Sequence, residues 1–250
     1  LDGYINIGSG TPNFFPPQQI LNTYKKSIDD YKLTYTSWSG LDDLKVAASN
    51  KLKRENNYYA DPYSEILITS GAQSAILASL MAILNIDDEV ILTAPYYRTY
   101  EEMAVICGAK IVPIITDYES NYTLDVNVVE EKITENTKAI ILVSPSNPTG
   151  TVLKKEIIQE IYKLSVKHDV VLFTDEIYEH YIFDDNSHYS INSDYPEKNN
   201  VISIYSLSKG YGLTGIRVGY IVSNENMIAS IAPFHLSLIH ISEPTRRYAI

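Results

Sequence analysis

Cysteine is nearly absent. Cys107 is the single one in 250 residues, so one chain can hold neither a disulfide framework nor a cysteine-based zinc site, and no metal site of another kind suggests itself. A reducing cytoplasm is the expected setting. Basic charge is also scarce: 20 Lys and Arg against 31 Asp and Glu leave a formal net charge of −11. A nucleic-acid partner is not expected, because phosphate backbones attract basic faces. No apolar run approaches the ~20 residues that span a bilayer, no secretory signal is visible, and no repeat or low-complexity segment occurs. The first residue is Leu1 rather than methionine, from which a missing N-terminal piece is expected.

What is present is an ordinary globular balance, 45% hydrophobic and 20% charged, enough for one large core or two modest ones. Seven short runs read as strands: Glu65–Thr69, Glu89–Ala94, Lys110–Ile115, Ala139–Ser144, Val170–Thr174, Val201–Ser206 and Arg217–Val222. Most are continuously apolar, as strands covered on both faces should be. Helical patterns lie between them at Gln73–Leu84, Tyr97–Cys107 and Lys154–His168. The alternation predicts an α/β fold, a mostly parallel seven-stranded sheet sandwiched by helices. The polar stretch Asp184–Asn200 reads as a surface loop.

In such sheets the ligand crevice lies beyond the carboxyl ends of the strands. Five consecutive strand ends carry polar, glycine, proline or aromatic residues: "SGAQSA", "PYYRTY", "SPSNPTG", "DEIY" and "SLSK". Ser70–Gln73 places a small-residue turn at a helix start suited to a phosphate, though a plain serine-capped turn has the same appearance. Asp175 ends an apolar strand, where a carboxylate needs a cation or its pKa rises; it reads equally as a helix cap. Asn147–Gly150 reads equally as a simple turn. Lys209 is either a solvated loop lysine or, among the small residues around it, a partly desolvated nucleophile. Ser206, Ser208 and Arg217 offer donors to one dianionic phosphate. An aldehyde for the lysine, a phosphate for the serines and arginine, and a ring nitrogen for Asp175 are united in one molecule, pyridoxal 5′-phosphate.

At this point the segments "TSGAQSA", "SPSNPTG", "TDEIY" and "SLSKGYGLTGIRVGY" resemble, in this order, the signature segments of class I/II aminotransferases, the fold-type I pyridoxal-phosphate enzymes. The resemblance covers about Gly8 to Val222. It implies a transaminase that moves an amino group between an L-amino acid and a 2-oxo acid by a ping-pong mechanism, with Lys209, Asp175 and Tyr178 as catalytic residues. Lys209 is implied to form the Schiff base and to shuttle the substrate proton. Asp175 is implied to pair with the pyridine nitrogen, and Asn147 and Tyr178 to hydrogen-bond the phenolic oxygen. Tyr97 matches the aromatic that stacks on the ring. Ala72, Gln73, Ser206 and Arg217, with Ser208 a weaker candidate, match the phosphate site. Gly10 and Asn147 match substrate-contacting positions. Tyr35 matches a tyrosine that reaches the phosphate of the other subunit, so a homodimer is implied.

The same resemblance implies a division into residues 1–15, a segment at the site boundary, and 16–235, an incomplete cofactor-binding large domain. Such enzymes continue into a smaller C-terminal domain with a carboxylate-binding arginine, and this chain has no room for it. The stretch "LSLIHISEPTR" (Leu236–Arg246) is identical to the translation of a transposon-type sequencing adapter, so residues 236–250 are expected to be a non-native tail, and the chain as written is expected to be inactive. The cofactor frame also serves β-lyases and aminocyclopropane-carboxylate synthases, and an aminotransferase-like sensor domain occurs in some transcription regulators. The motifs leave these alternatives open.

Overall fold

The apolar runs form one seven-stranded sheet in a computed structural model that describes residues 8, 10–30 and 35–241. The elements in chain order are α1 (Gln18–Asp30), α2 (Asp42–Glu55), β1 (Ile66–Thr69), α3 (Ala72–Ile83), β2 (Glu89–Ala94), α4 (Thr99–Ile106), β3 (Lys110–Ile115) and α5 (Val126–Lys132). There follow β4 (Thr137–Val143), α6 (Lys155–His168), β5 (Val171–Asp175), β6 (Val201–Ser206), β7 (Gly219–Val222) and α7 (Glu225–Ile241). The strand order is β1-β7-β6-β5-β4-β2-β3. Neighbouring strands are parallel except for β7, which is antiparallel to both β1 and β6. The expected mostly parallel, helix-sandwiched sheet is therefore the fold.

Strand residues alternate between two cores because side chains point to opposite faces with period two. Ile141, Phe173 and Ile202 pack with Ile76 and Leu80 of α3, Met103 of α4 and Ile231 of α7. Ile140, Leu142, Leu172 and Val201 pack with Val129 of α5 and Ile158 and Ile161 of α6. Each fully buried large aliphatic chain contributes about 1.5–3 kcal/mol. This doubly covered centre fixes the ends of β4, β5 and β6, where the polar groups sit. Among the described residues no helix is long and apolar enough to cross a membrane.

The antiparallel β7 has a consequence for the site. Because it reverses direction between β6 and β1, the carboxyl ends of β1 and β6 lie on the same edge, and Thr69 and Ser206 both pair with Gly219. A Cβ at Gly219 would lie 2.8 Å from both the Gly71 carbonyl carbon and the Tyr205 carbonyl oxygen. Only glycine allows this close approach. The strand expected from Arg217 starts at Gly219 instead, because Arg217 takes a left-handed φ of 60° that no β-strand accommodates.

The expected surface loop at Asp184–Asn200 is corrected in part. Ile191 and Asn192 are 0% exposed, Lys198 is 2% exposed, and Ile191–Ser193 form a 3₁₀ turn. Its polar groups go inside because they find partners there: Asn192 Nδ2 donates to Ser203 Oγ at 2.9 Å, and Lys198 Nζ to both Glu65 carboxylate oxygens at 3.0 Å. Of the tail expected from Leu236, residues 236–241 continue α7, and 242–250 lie outside the described residues.

Candidate active site

Two corners line one open cleft of about 780 Å³, and a third lies in a recess that adjoins it. The first is an anion corner. α3 begins immediately after Gly71, whose φ is +82°, and the first N–H groups of a helix have no intrahelical acceptor. Ser206 ends β6 and Ser208 follows it, and the Ser208 N–H donates to Ser206 Oγ at 3.1 Å. Arg217 Nη1 donates to the Thr214 carbonyl at 3.0 Å and reaches Ser208 Oγ at 3.5 Å. A Cβ at Gly71 would lie 2.4 Å from Arg217 Nη2, so the glycine leaves the guanidinium its place beside the helix start. Backbone donors, hydroxyls and a fixed planar cation together make a dianion cradle.

The second corner is the amine. Lys209 Nζ donates to the Gly10 carbonyl oxygen and lies 5.8 Å from the centre of the Tyr178 ring. Burial, and secondarily the charge of Arg217, lower its pKa. Its backbone is tethered by Tyr181, whose hydroxyl donates to the Lys209 carbonyl at 3.1 Å.

The third corner is a carboxylate. Asp175, the last residue of β5, is 2% exposed. Tyr100 Oη donates to Oδ2 at 2.5 Å and the Ile177 N–H to Oδ1 at 3.1 Å. Burial raises its pKa to about 6, against the effect of these two hydrogen bonds. Among the described residues no cation is one of the groups that shift it. A buried carboxylate held by neutral donors alone would gain from any cation bound beside it.

Between the corners, Asn147 Nδ2 donates to Tyr178 Oη at 3.4 Å, and Gln73 Nε2 to Tyr97 Oη at 3.4 Å. The open cleft is lined by Gly10, Ala72, Gln73, Tyr97, Asn147, Tyr178, Ser206, Ser208, Lys209 and Arg217. Asp175 lines an adjoining recess with Ala72, Gln73 and Tyr97. Tyr35 alone stands apart, 80% exposed and not lining the cleft of its own chain. Sequence reasoning missed Tyr100, the partner of Asp175. Its signal was its place three residues after Tyr97 in "PYYRTY", at the start of α4.

Residues 2–250 match the family model described as aminotransferase class I and II. The chain is 37% identical over 232 residues to an aspartate aminotransferase of Pyrococcus abyssi, covering 93% of this chain and 60% of that one. It is 32% identical over 236 residues to aromatic-amino-acid aminotransferase 2 of Thermococcus litoralis, covering 94% and 61%. Among solved structures, an aromatic aminotransferase from Pyrococcus horikoshii superposes with a TM-score of 0.90 at 34% identity, covering 95% of this chain and 64% of that one. The chain thus spans about 60% of the length of the curated relatives it matches.

Proposed function

The chain belongs to the class I and II aminotransferases, and from that premise we propose that it forms the cofactor-holding part of a pyridoxal-phosphate-dependent transaminase. The proposed reaction passes an amino group from an L-amino acid to a 2-oxo acid in two half-reactions at one site. The observation that carries this reading is the convergence, on adjoining strand ends, of Lys209, a buried Asp175 that no described cation pairs with, and the Arg217 anion cradle. These residues fit the cofactor by the chemistry of their donors: a partly desolvated amine for the aldehyde, hydroxyls and a guanidinium for the phosphate, and a carboxylate without a cation for the ring nitrogen. When bound, pyridoxal phosphate supplies the electron sink that makes the substrate's α-proton removable.

The protein's own residues do the rest. Ser206, Ser208, Arg217 and the helix start at Ala72 and Gln73 hold the phosphate. Asp175 keeps a proton on the ring nitrogen. Asn147 and Tyr178, already within hydrogen-bond reach of each other, present donors to the phenolic oxygen, and Tyr97 covers the ring. Lys209 Nζ, once free, accepts and returns the substrate proton as a general base and acid. Gly10 and Asn147 face the substrate carboxylate.

The test is a half-reaction. The full-length enzyme of which this chain is the proposed cofactor-holding part, loaded with pyridoxal phosphate, should lose its visible band on addition of a suitable amino acid, release the matching 2-oxo acid, and recover the band when an oxo acid is added. Release of ammonia without recovery would point to a lyase and remove the transaminase reading.

We further propose that Tyr35, exposed on its own chain, completes the phosphate site of a second copy in a homodimer. Tyr35→Phe should weaken cofactor retention roughly tenfold, the cost of one hydrogen bond to a charged group, without lowering the thermal midpoint of the cofactor-free protein. A species that sediments as a monomer with undiminished cofactor affinity contradicts this.

A further inference from the structure

Behind the cleft, the segment after Asp175 rests on a buried polar cluster that the reaction does not use. Lys51 of α2 donates to Glu179, and to Asn56 Oδ1 at 2.8 Å. Asn56 Nδ2 donates to Glu179 Oε2 and to Ser190 Oγ, both at 2.8 Å. Ser190 Oγ donates to Glu176, whose Oε2 also lies 2.8 Å from His188 Nε2. The Lys51 and Glu179 side chains are each 9% exposed, that of Glu176 3% and that of His188 13%.

The charges decide what the cluster is. One carboxyl oxygen from each of Glu176 and Glu179 and one His188 nitrogen lie within 4.8 Å of one another, a spacing that would suit a divalent cation. Lys51 already donates to Glu179, so one cation is built in. Two carboxylates and one ammonium leave one negative charge, which a protonated His188 cancels. Burial alone would lower the His188 pKa, but its hydrogen bond to Glu176 and that charge outweigh burial and raise it; Glu176 is in turn held below its ordinary value against its own burial. The other ionisable groups facing the cluster are Glu55, 3.7 Å from Lys51 and itself paired with Arg54 and beside His180, the buried phenols of Tyr58, Tyr205 and Tyr220, the Tyr211 phenol, and Asp175 next along the chain from Glu176; the Arg54 charge offsets that of Glu55.

None of these side chains lines the cleft, yet the segment they hold does reach it. Tyr178 bonds Asn147, and Tyr181 tethers the Lys209 carbonyl. We propose that Lys51, Glu176, Glu179 and His188 form a charge-balanced clamp that positions Tyr178 and Lys209 from behind. The proposal rests on the cofactor-binding reading above; all four are positioning residues, acting through the 176–181 turn.

Pyridoxal phosphate is added to the full chain and to Lys51→Met, His188→Gln and Tyr178→Phe variants. Two quantities are read: the rate of borohydride trapping at Lys209 and the pH midpoint of the visible band. The clamp variants should trap roughly tenfold more slowly, since small displacements of a reacting group cost one to two orders of magnitude. Their band midpoints should move in the direction of Tyr178→Phe. Lys51→Met combined with Tyr178→Phe should shift the band no further than Tyr178→Phe alone, because both act through one hydroxyl. If Lys51→Met does not fold, His188→Gln, which keeps a donor to Glu176 and loses only the charge, decides alone. Variants that trap and titrate like wild type, or shifts that add to that of Tyr178→Phe, overturn the clamp and leave the cofactor reading intact. A wild-type chain that traps nothing overturns both.

Discussion

Lys209→Ala is expected to abolish covalent capture of pyridoxal phosphate. Reduction with borohydride should leave one phosphopyridoxyl group on the Lys209 peptide of the wild-type chain and none at that position in the variant. An ordinary lysine, with a pKa near 10.4, is neutral in only about one molecule in 10³ at pH 7.4, and only the neutral amine attacks a carbonyl. Lys209 is depressed by burial and then by Arg217, so its reactive fraction is larger than that of any solvated lysine. The cleft also holds it beside the Tyr178 ring, with its backbone tethered by Tyr181. Removing the group proposed as both nucleophile and proton carrier should cost transamination by the full-length enzyme on the order of 10⁴-fold or more. Peptide mapping of the reduced protein checks this, and a label on another lysine reassigns the nucleophile. Arg217→Gln provides a directional control. It removes the cation that helps lower the Lys209 pKa, so the pH dependence of capture should move upward, while loss of the guanidinium weakens phosphate binding.

The residues of this corner were legible because of where they fall along the chain. Ser206 and Asp175 end apolar strands, Ser208, Lys209 and Asn147 follow such strands, and strand ends in a parallel sheet share one edge. The sheet itself was legible because its central strands are covered on both faces and read as unbroken apolar runs. Other features depend on tertiary placement and have no local pattern. The antiparallel insertion of β7 between β1 and β6, which brings Arg217 to the anion corner, leaves no trace in a run such as "GYIV". Helix α2 escaped because its sequence is mostly polar and carries little apolar periodicity, whereas α1 does carry a helical stripe, at Ile20, Leu21, Tyr24 and Ile28, that was legible and went unread. Lys51 sits in α2 among charged neighbours and reads as a solvent-facing lysine. Its partner Glu179 is 128 residues away, so its burial appears only when α2 docks behind the 176–181 turn. The stretch at 184–200 is polar for the same kind of reason: its buried Asn192 and Lys198 find partners in the buried Ser203 and the partly buried Glu65.

Asp175→Asn should act in opposite directions on stability and on function. In the cofactor-free protein Asp175 is pushed up to about 6 by burial, against about 3.9 in an unfolded chain. A raised carboxyl pKa means the folded state holds its proton more tightly. The group's contribution to stability is therefore fully present below about pH 3.9 and is lost as pH rises through 6. Above that, the ionised, unpaired carboxylate costs up to about 3 kcal/mol. Asparagine removes the charge and keeps the shape: its oxygen accepts from the Ile177 N–H, and its amide donates to a rotated Tyr100 hydroxyl. The cofactor-free variant should therefore be more stable than wild type at pH 8, with a flatter stability profile between pH 4 and 6. Pyridoxal phosphate reverses the order, because a protonated ring nitrogen is the cation that Asp175 lacks. Wild type should gain more from the cofactor in thermal midpoint than the variant does. A neutral asparagine cannot hold that proton, and forfeiting even about 3 kcal/mol at the transition state lowers the rate by 10² or more. Asp175→Glu keeps the charge and should fall between the two. Thermal midpoints with and without cofactor from pH 4 to 8, together with single-turnover rates, read both effects. A variant that turns over at the wild-type rate, or whose cofactor-free midpoint declines between pH 4 and 6 in parallel with wild type, would show that Asp175 is not the missing half of an ion pair.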